Sequence, residues 1–326
     1  MKFKGESTSP RACTRRTFIA ASVLGLSARI VRGQPASTIE EDYPVIDVHQ
    51  HASYHGRSDE DLLYHQEKLG VAKTILLPLR RLEVIAAGAG GNRHAWRLAQ
   101  AHPRTFAAFA NAVVYLPGAL KEIEFFLEKG AIGIGELKNN VECDSPYMQR
   151  VAELARAYHA PMLIHFEEGR FNSGFPRFAR MLEKYPDVTF IGHASTFWAH
   201  MDGGYRPEMG RRSTTLDPVP GGLTDQWLAT YPNLFGGLSA SGAVAMSRDP
   251  EFTHDFMERH RDKLLFGTDC YCRTGRSPRY GCRGDLLLKA MAQADAGPGI
   301  RRKILFSNAQ GIFQFAEFAR EMDRGS

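Results

Sequence analysis

Eight short apolar runs, each followed by a stretch of helical spacing, constrain this chain more than any other feature. The runs are Val45–His49, Lys73–Leu77, Thr105–Ala110, Ala131–Leu137, Met162–Phe166, Val188–His193, Leu234–Leu238 and Lys263–Gly267. They are rich in Val, Ile, Leu and Phe and nearly continuous, as strands covered on both faces are. The stretches between them carry helix punctuation. SDEDLLYHQEKLG offers Ser58 as N-cap, Asp61 three residues on and Gly70 as a stop. PGALKEIEFFLEKG opens on Pro117 and closes on Gly130, and SPYMQRVAELARAYH and DPEFTHDFMERHRDK repeat the pattern. Eight consecutive strand–helix units predict an α/β fold whose parallel sheet closes into a single-domain (β/α)8 TIM barrel over residues 43–326. An open doubly wound sheet is the competing architecture, and the unit count disfavours it.

Residues 1–35 read differently. TRRTFIAASVLGL, Thr14 to Leu26, places an arginine pair before an apolar run too short to span a bilayer. It resembles a twin-arginine export signal, which implies engagement of the export machinery and a periplasmic mature protein. The competing reading is a basic tail. The segment carries seven basic residues against Glu6 alone. Its net +6 therefore turns the formal +5 of the whole chain into about −1 for the remainder. The basic balance thus belongs to the signal, and neither a nucleic-acid surface nor a stable membrane anchor is expected.

Cys143, Cys270, Cys272 and Cys282 lie beyond the signal. An oxidising compartment permits a disulfide, with Cys272–Cys282 as the candidate pair. The C-x-C at 270–272 lacks the paired spacing of structural zinc sites, so buried free thiols are the favoured expectation. Two loops stand out. The interval Ser195–Gly222 follows the sixth strand, is rich in Gly, Pro and Arg, and is expected to form a lid or substrate wall. AAGAGGN, Ala86 to Asn92, lacks phosphate-loop spacing and reads as a turn into a helix starting near Asn92.

The chemistry-bearing residues sit where the strands end. In VIDVHQH, His49 and His51 share one face of the first strand by the two-residue period. Glu136 ends the fourth run, His165 the fifth and His193 the sixth, and Asp269 follows the eighth in KLLFGTD. All parallel strands of a barrel open at one mouth, so four histidines and two carboxylates converge there. Each alone is an ordinary hydrogen-bonded residue; together they make a metal site.

These motifs, with KILFSNAQGIFQF near the C-terminus, resemble the amidohydrolase superfamily. The likeness is to its amidohydrolase 2-type metal-dependent TIM-barrel hydrolases, a group that also contains non-oxidative decarboxylases. The resemblance runs from about Tyr43 to about Phe318. It implies His49, His51, His165 and Asp269 as metal ligands, with His193 as a ligand to a second ion or an unligated electrophile. It implies one or two divalent ions, with Zn2+ favoured and Fe2+ or Mn2+ as alternatives. Glu136 and Lys138 share a face in GELK. Glu136 is favoured as the bridge of a two-metal site, the alternative being an ion pair with Lys138 or an arginine.

The expected activity is hydrolysis of an amide, lactone or ester of a small molecule. Asp269 and His193 are the catalytic groups, and the metal activates water. Decarboxylation of a small carboxylic acid on the same site is the alternative, and a lapsed metal-binding barrel the second alternative. Arg170, Trp198 and Arg206 are candidate substrate-binding residues, with Arg211 and Arg212 in the same long loop. Glu168 resembles the proton-donating glutamate of adenosine-type deaminases, against the simpler reading of a solvated loop carboxylate. The substrate's identity and a homo-oligomeric state stay open.

Overall fold

The computed structural model describes residues 41–79, 88–206, 208–209, 218–273 and 281–323. The signal expectation for residues 1–35 lies outside these residues, as do Ala86, Ala87, Arg211 and Arg212. Eight strands occur where the apolar runs place them: β1 Val45–Gln50, β2 Val71–Leu76, β3 Phe106–Ala108, β4 Ile134–Leu137, β5 Met162–His165, β6 Phe190–His193, β7 Leu234–Gly237 and β8 Leu264–Leu265. All neighbouring strands pair parallel, β1 to β3 in one run and β4 to β8 in another.

Hydrogen bonds just beyond the strand ends join the two runs. At one seam Ala110 N–H donates to Gly133 O and Gly135 N–H to Ala110 O, both at 2.9 Å. At the other, Val48 N–H donates to Phe266 O at 3.0 Å and Asp269 N–H to His49 O at 2.8 Å. The sheet therefore closes on itself and leaves no edge of the kind that pairs with other chains.

The helices begin where the caps predict. Ser58 Oγ accepts from Asp61 N–H, and the helix Asp59–Leu69 ends at Gly70, whose φ of 74° suits a residue without Cβ. Ser145 and Asp249 cap Pro146–Ala157 and Pro250–Arg259 in the same way. A helix starts at Asn92 behind Gly91, as the glycine-rich stretch suggests. Near the C-terminus a π-helical turn, Lys303–Ser307, runs into the helix Asn308–Phe313. Asn308 Nδ2 donates to Arg261 O and Leu264 O there, tying this closing helix to the base of β8.

Behind the mouth, Phe166 packs against Phe175, Phe178 and Phe197. Ring pairs of this kind add about 0.5–1.5 kcal/mol each beyond area burial, and they fix the ends of β5 and β6. No helix of the described residues is long and apolar enough to cross a membrane.

Candidate metal centre

The mouth gathers His49 and His51 from β1, Glu136 from β4, His165 from β5, His193 from β6 and Asp269 beyond β8. Glu136 lies between two histidine pairs. Its Oε1 is 2.5 Å from His165 Nδ1 and 3.7 Å from His193 Nε2. Its Oε2 is 3.4 Å from His51 Nε2 and 3.7 Å from His49 Nε2. Asp269 repeats the division, with Oδ1 at 3.4 and 3.8 Å from His51 and His49 and Oδ2 at 3.7 Å from His193. Gly267 permits this closeness, since a Cβ there would stand 3.1 Å from both His49 Cβ and Ser239 Cβ.

The hydrogen bonds around the ring set show which nitrogens carry lone pairs. His51 Nδ1 is 2.7 Å from the carbonyl of Leu77, so it must donate, and a neutral ring then aims a bare Nε2 into the mouth. Ser239 Oγ touches Nδ1 of both His49 and His193, at 3.1 and 2.9 Å. One hydroxyl proton cannot serve both, so at least one of these rings also donates outward and presents a bare Nε2. Yet His49 Nε2 and His51 Nε2 are only 3.2 Å apart. Glu136 Oε2 and Asp269 Oδ1 are buried without a hydrogen-bond donor. Lone pairs and orphaned carboxylate oxygens converging on one space are what a divalent cation satisfies, and the imidazole and carboxylate donors fit zinc, iron or manganese.

Electrostatics agree. Burial works against ionising Glu136, but Lys138 and the bond from His165 hold its carboxyl well below the usual range. Burial likewise opposes the charge on Asp269, and His49 and His51 overcome it. Burial would keep His51 neutral, but Asp269 and Glu136 push its pKa up to about 9, a measure of the cluster's demand for positive charge. Burial, then the field of His49, hold His193 well below its ordinary value.

Around these six lie residues that sequence reading missed. Ser239 lies two residues past β7, directly after the apolar run Leu234–Leu238, where strand-end inspection could have found it. Glu167 Oε2 stands 3.3 Å from His165 Nε2, and its other oxygen faces Arg170 Nη1 at 3.4 Å. The two-residue period that paired His49 with His51 also pairs His165 with Glu167. Tyr54 packs its ring on His51 at 4.8 Å, and the charge of Asp269, then burial, raise its phenol pKa. No sequence signal marked it.

The remaining candidate residues fall into distinct settings. Trp198 is 2 % exposed, packs on Phe197 and Phe256, and donates Nε1–H to Gly237 O at 3.0 Å, so it is a core residue with no face for a substrate. Arg206 is exposed and bends back to the carbonyls of Gly203 and Tyr205 in its own loop. Glu168 accepts from Gly174 N–H and Phe175 N–H, closing the turn after β5. Lys138 lies over the ring of Phe171, not in an ion pair with Glu136. The four described cysteines are buried free thiols, as the favoured expectation had it, and the alternative Cys272–Cys282 bridge is absent. The interval Ser195–Gly222 opens with a short helix, Ser195–Ala199, and Gly203 N–H donates to Val219 O; residues 207 and 210–217 lie outside the described part.

Comparison with known proteins places this geometry. Three solved structures share the fold. A protein of Acinetobacter baumannii designated a probable 2-pyrone-4,6-dicarboxylic acid hydrolase aligns with a TM-score of 0.55 at 14% identity, covering 83% of this chain and 100% of its own. An uncharacterized TIM-barrel protein of Bordetella bronchiseptica gives 0.55 at 14%, over 79% and 83%. The 2,6-dihydroxybenzoate decarboxylase from Rhizobium gives 0.53 at 14%, over 83% and 99%. No curated protein matches the chain significantly. The family profile described as Amidohydrolase (Amidohydro_2) matches residues 46–315, from within β1 to the closing helix, and the chain belongs to that family.

Proposed function

We propose that the protein is a metal-dependent hydrolase acting on an amide, lactone or ester of a small acidic molecule. The observation that carries this reading is Asp269. His49 and His51 hold its carboxyl below the usual range against burial, its Oδ1 is buried without a donor, and it stands among His49, His51 and His193. Two divalent ions held among His49, His51, Glu136, His165, His193 and Asp269, with Glu136 shared between them, would supply Lewis acidity and lower the pKa of bound water from about 15.7 to about 7. Asp269 then takes the proton of the attacking water and hands it to the leaving group. His193, with Nδ1 held by Ser239 Oγ at 2.9 Å, would hold an ion through Nε2 on the side facing Glu136 and Asp269. Tyr54 stays protonated beside Asp269 and donates to the substrate at the mouth.

The acidic substrate class rests on the side of the mouth next to His165. Lys138 and Arg170 both lie over the ring of Phe171, which meets His165 edge-on. Two cations held at an open site suit a carboxylate. The names of the Acinetobacter and Rhizobium proteins concern acids also, a pyrone dicarboxylate and a dihydroxybenzoate. The second of these favours non-oxidative decarboxylation as the alternative reading. We also propose export to the periplasm, on the strength of Thr14–Leu26; N-terminal sequencing of the mature chain tests it.

The deciding experiment incubates zinc- or manganese-loaded enzyme with a panel of carboxylated lactones, esters and amides, and with hydroxybenzoates. Ring opening or ester cleavage without carbon dioxide supports the hydrolase. Carbon dioxide release alone overturns it in favour of decarboxylation. Bound metal without turnover of any class leaves a lapsed barrel.

A further inference from the structure

A second group of metal-ligating side chains lies outside the mouth. His65 comes from the helix Asp59–Leu69, Cys270 and Cys272 follow Asp269, and Cys282 immediately precedes the helix Arg283–Gln293. One ligand atom from each falls within 4.8 Å of all the others, and all four residues are buried. The Sγ atoms of Cys270 and Cys272 are 3.1 Å apart, and Cys282 Sγ is 3.4 Å from His65 Nε2. A disulfide needs about 2.05 Å, so these are thiols gathered but not joined.

Two independent features show what the group is built for. Gln66 Nε2 donates to Asp47 Oδ2 and Thr74 Oγ1, which fixes the amide so that Oε1 faces His65 Nδ1 at 2.7 Å. His65 must therefore donate from Nδ1, and in its neutral form it offers the lone pair of Nε2 to the sulfurs. That is the tautomer a metal-bound histidine adopts, held by the outer partner such histidines need. The second feature is Arg57, also buried. Its guanidinium donates to the carbonyls of Cys270, Cys272 and His51 and to Gln50 Oε1, all neutral acceptors. A buried cation needs a counter-charge. The buried Asp47 acts on it at longer range, and three thiolates around a dication, net −1, add a counter-charge at the cluster itself.

We propose that His65, Cys270, Cys272 and Cys282 bind one zinc ion as a closed structural site. Cys3His is a tetrahedral structural donor set, and sulfurs about 2.3 Å from zinc stand roughly 3.8 Å apart, a small opening from the present spacing. Binding releases the three thiol protons to solvent and changes no oxidation state. The ion clamps the segment after β8 to the first helix. That segment begins at Asp269, held at a φ of 45° that non-glycine residues seldom adopt. The site thus stiffens the mouth from behind without touching substrate.

The test uses the full chain produced with cobalt(II) in place of zinc. The mouth contains only nitrogen and oxygen donors, so a thiolate-to-cobalt charge-transfer band in the near ultraviolet reports the cysteine site alone. The expected result is a band corresponding to about one cobalt per chain. It is lost in Cys282→Ser and Cys272→Ser but kept in Cys143→Ser and in His49→Ala/His51→Ala. Should the serine variants fail to fold, mercurial titration of the wild-type zinc protein serves instead, with about one zinc released as the thiols react. Wild-type protein without the band, a band unchanged by Cys282→Ser, or a disulfide among Cys270, Cys272 and Cys282 after purification under reductant would overturn the proposal.

Discussion

The two clusters on either side of the β1–β8 seam use different donors and meet water differently. At the mouth the donors are imidazole and carboxylate, and the side chains of His165 and Asp269 are each 12% exposed. Behind it the donors are three sulfurs and one nitrogen, and all are buried. Open sites with hard donors leave room for water and substrate, whereas closed sulfur-rich sites hold structure. One short run of sequence serves both. His49 and His51 point to the mouth. Asp47 accepts from Gln66, the partner of His65, and also from His49 N–H, Thr268 N–H and Thr268 Oγ1–H. Asp47 has the parity of His49 and His51, so position along a single strand, and not alternation between its faces, separates chemistry from support.

Changes on the open side should appear in kinetics and changes on the closed side in stability. The largest expected effect is Asp269→Asn, which removes the base. It should lower kcat/KM by about 10^3-fold, measured on whichever substrate the panel identifies, with thermal stability nearly unchanged. A matching fall in Tm instead would make Asp269 a structural residue. Next is Asp47→Ala. It strands four buried donors between the clusters and should cost about 3 kcal/mol or more in urea unfolding. A loss below about 0.5 kcal/mol would mean that the two clusters do not share this support.

Smaller effects sharpen the division. Trp198→Phe keeps the packing but loses the bond to Gly237. It should cost about 1–2 kcal/mol in unfolding and leave KM alone; a raised KM would return Trp198 to the substrate wall. Arg170→Ala should raise KM for acidic substrates about tenfold, roughly 1.4 kcal/mol, with kcat little changed. An equal effect on an uncharged analogue would remove Arg170 from substrate recognition.

Much of this was legible in the chain. Strands covered on both faces write themselves as apolar runs, so all eight were found. Their limits were overdrawn where backbone leaves the ladder to feed the mouth. Lys263–Gly267 pairs as a strand only at Leu264–Leu265, and Thr105–Ala110 only at Phe106–Ala108. The six residues at the mouth were legible because each ends or follows a run. Ser239 and Glu167 obey the same rule, whereas the H-x-x-E motif at His165 points to Glu168, one residue off the shared face. Trp198 is not legible as a core residue because a long loop suggests a surface, while its helix turns inward. The cysteine cluster was hidden for a different reason: its fourth donor, His65, lies some 200 residues away on a helix, and no spacing rule connects it to C-x-C.

The most direct measurement is metal content per chain at the mouth, for wild type and Glu136→Ala, purified without chelator, with thiol-released metal counted separately. With Glu136 between two histidine pairs, about two equivalents are expected in the wild type and at least one fewer in the variant, while the thiol-held metal persists. Equal metal at the mouth in both proteins would contradict the bridging role of Glu136, and none in either would contradict the metal centre itself.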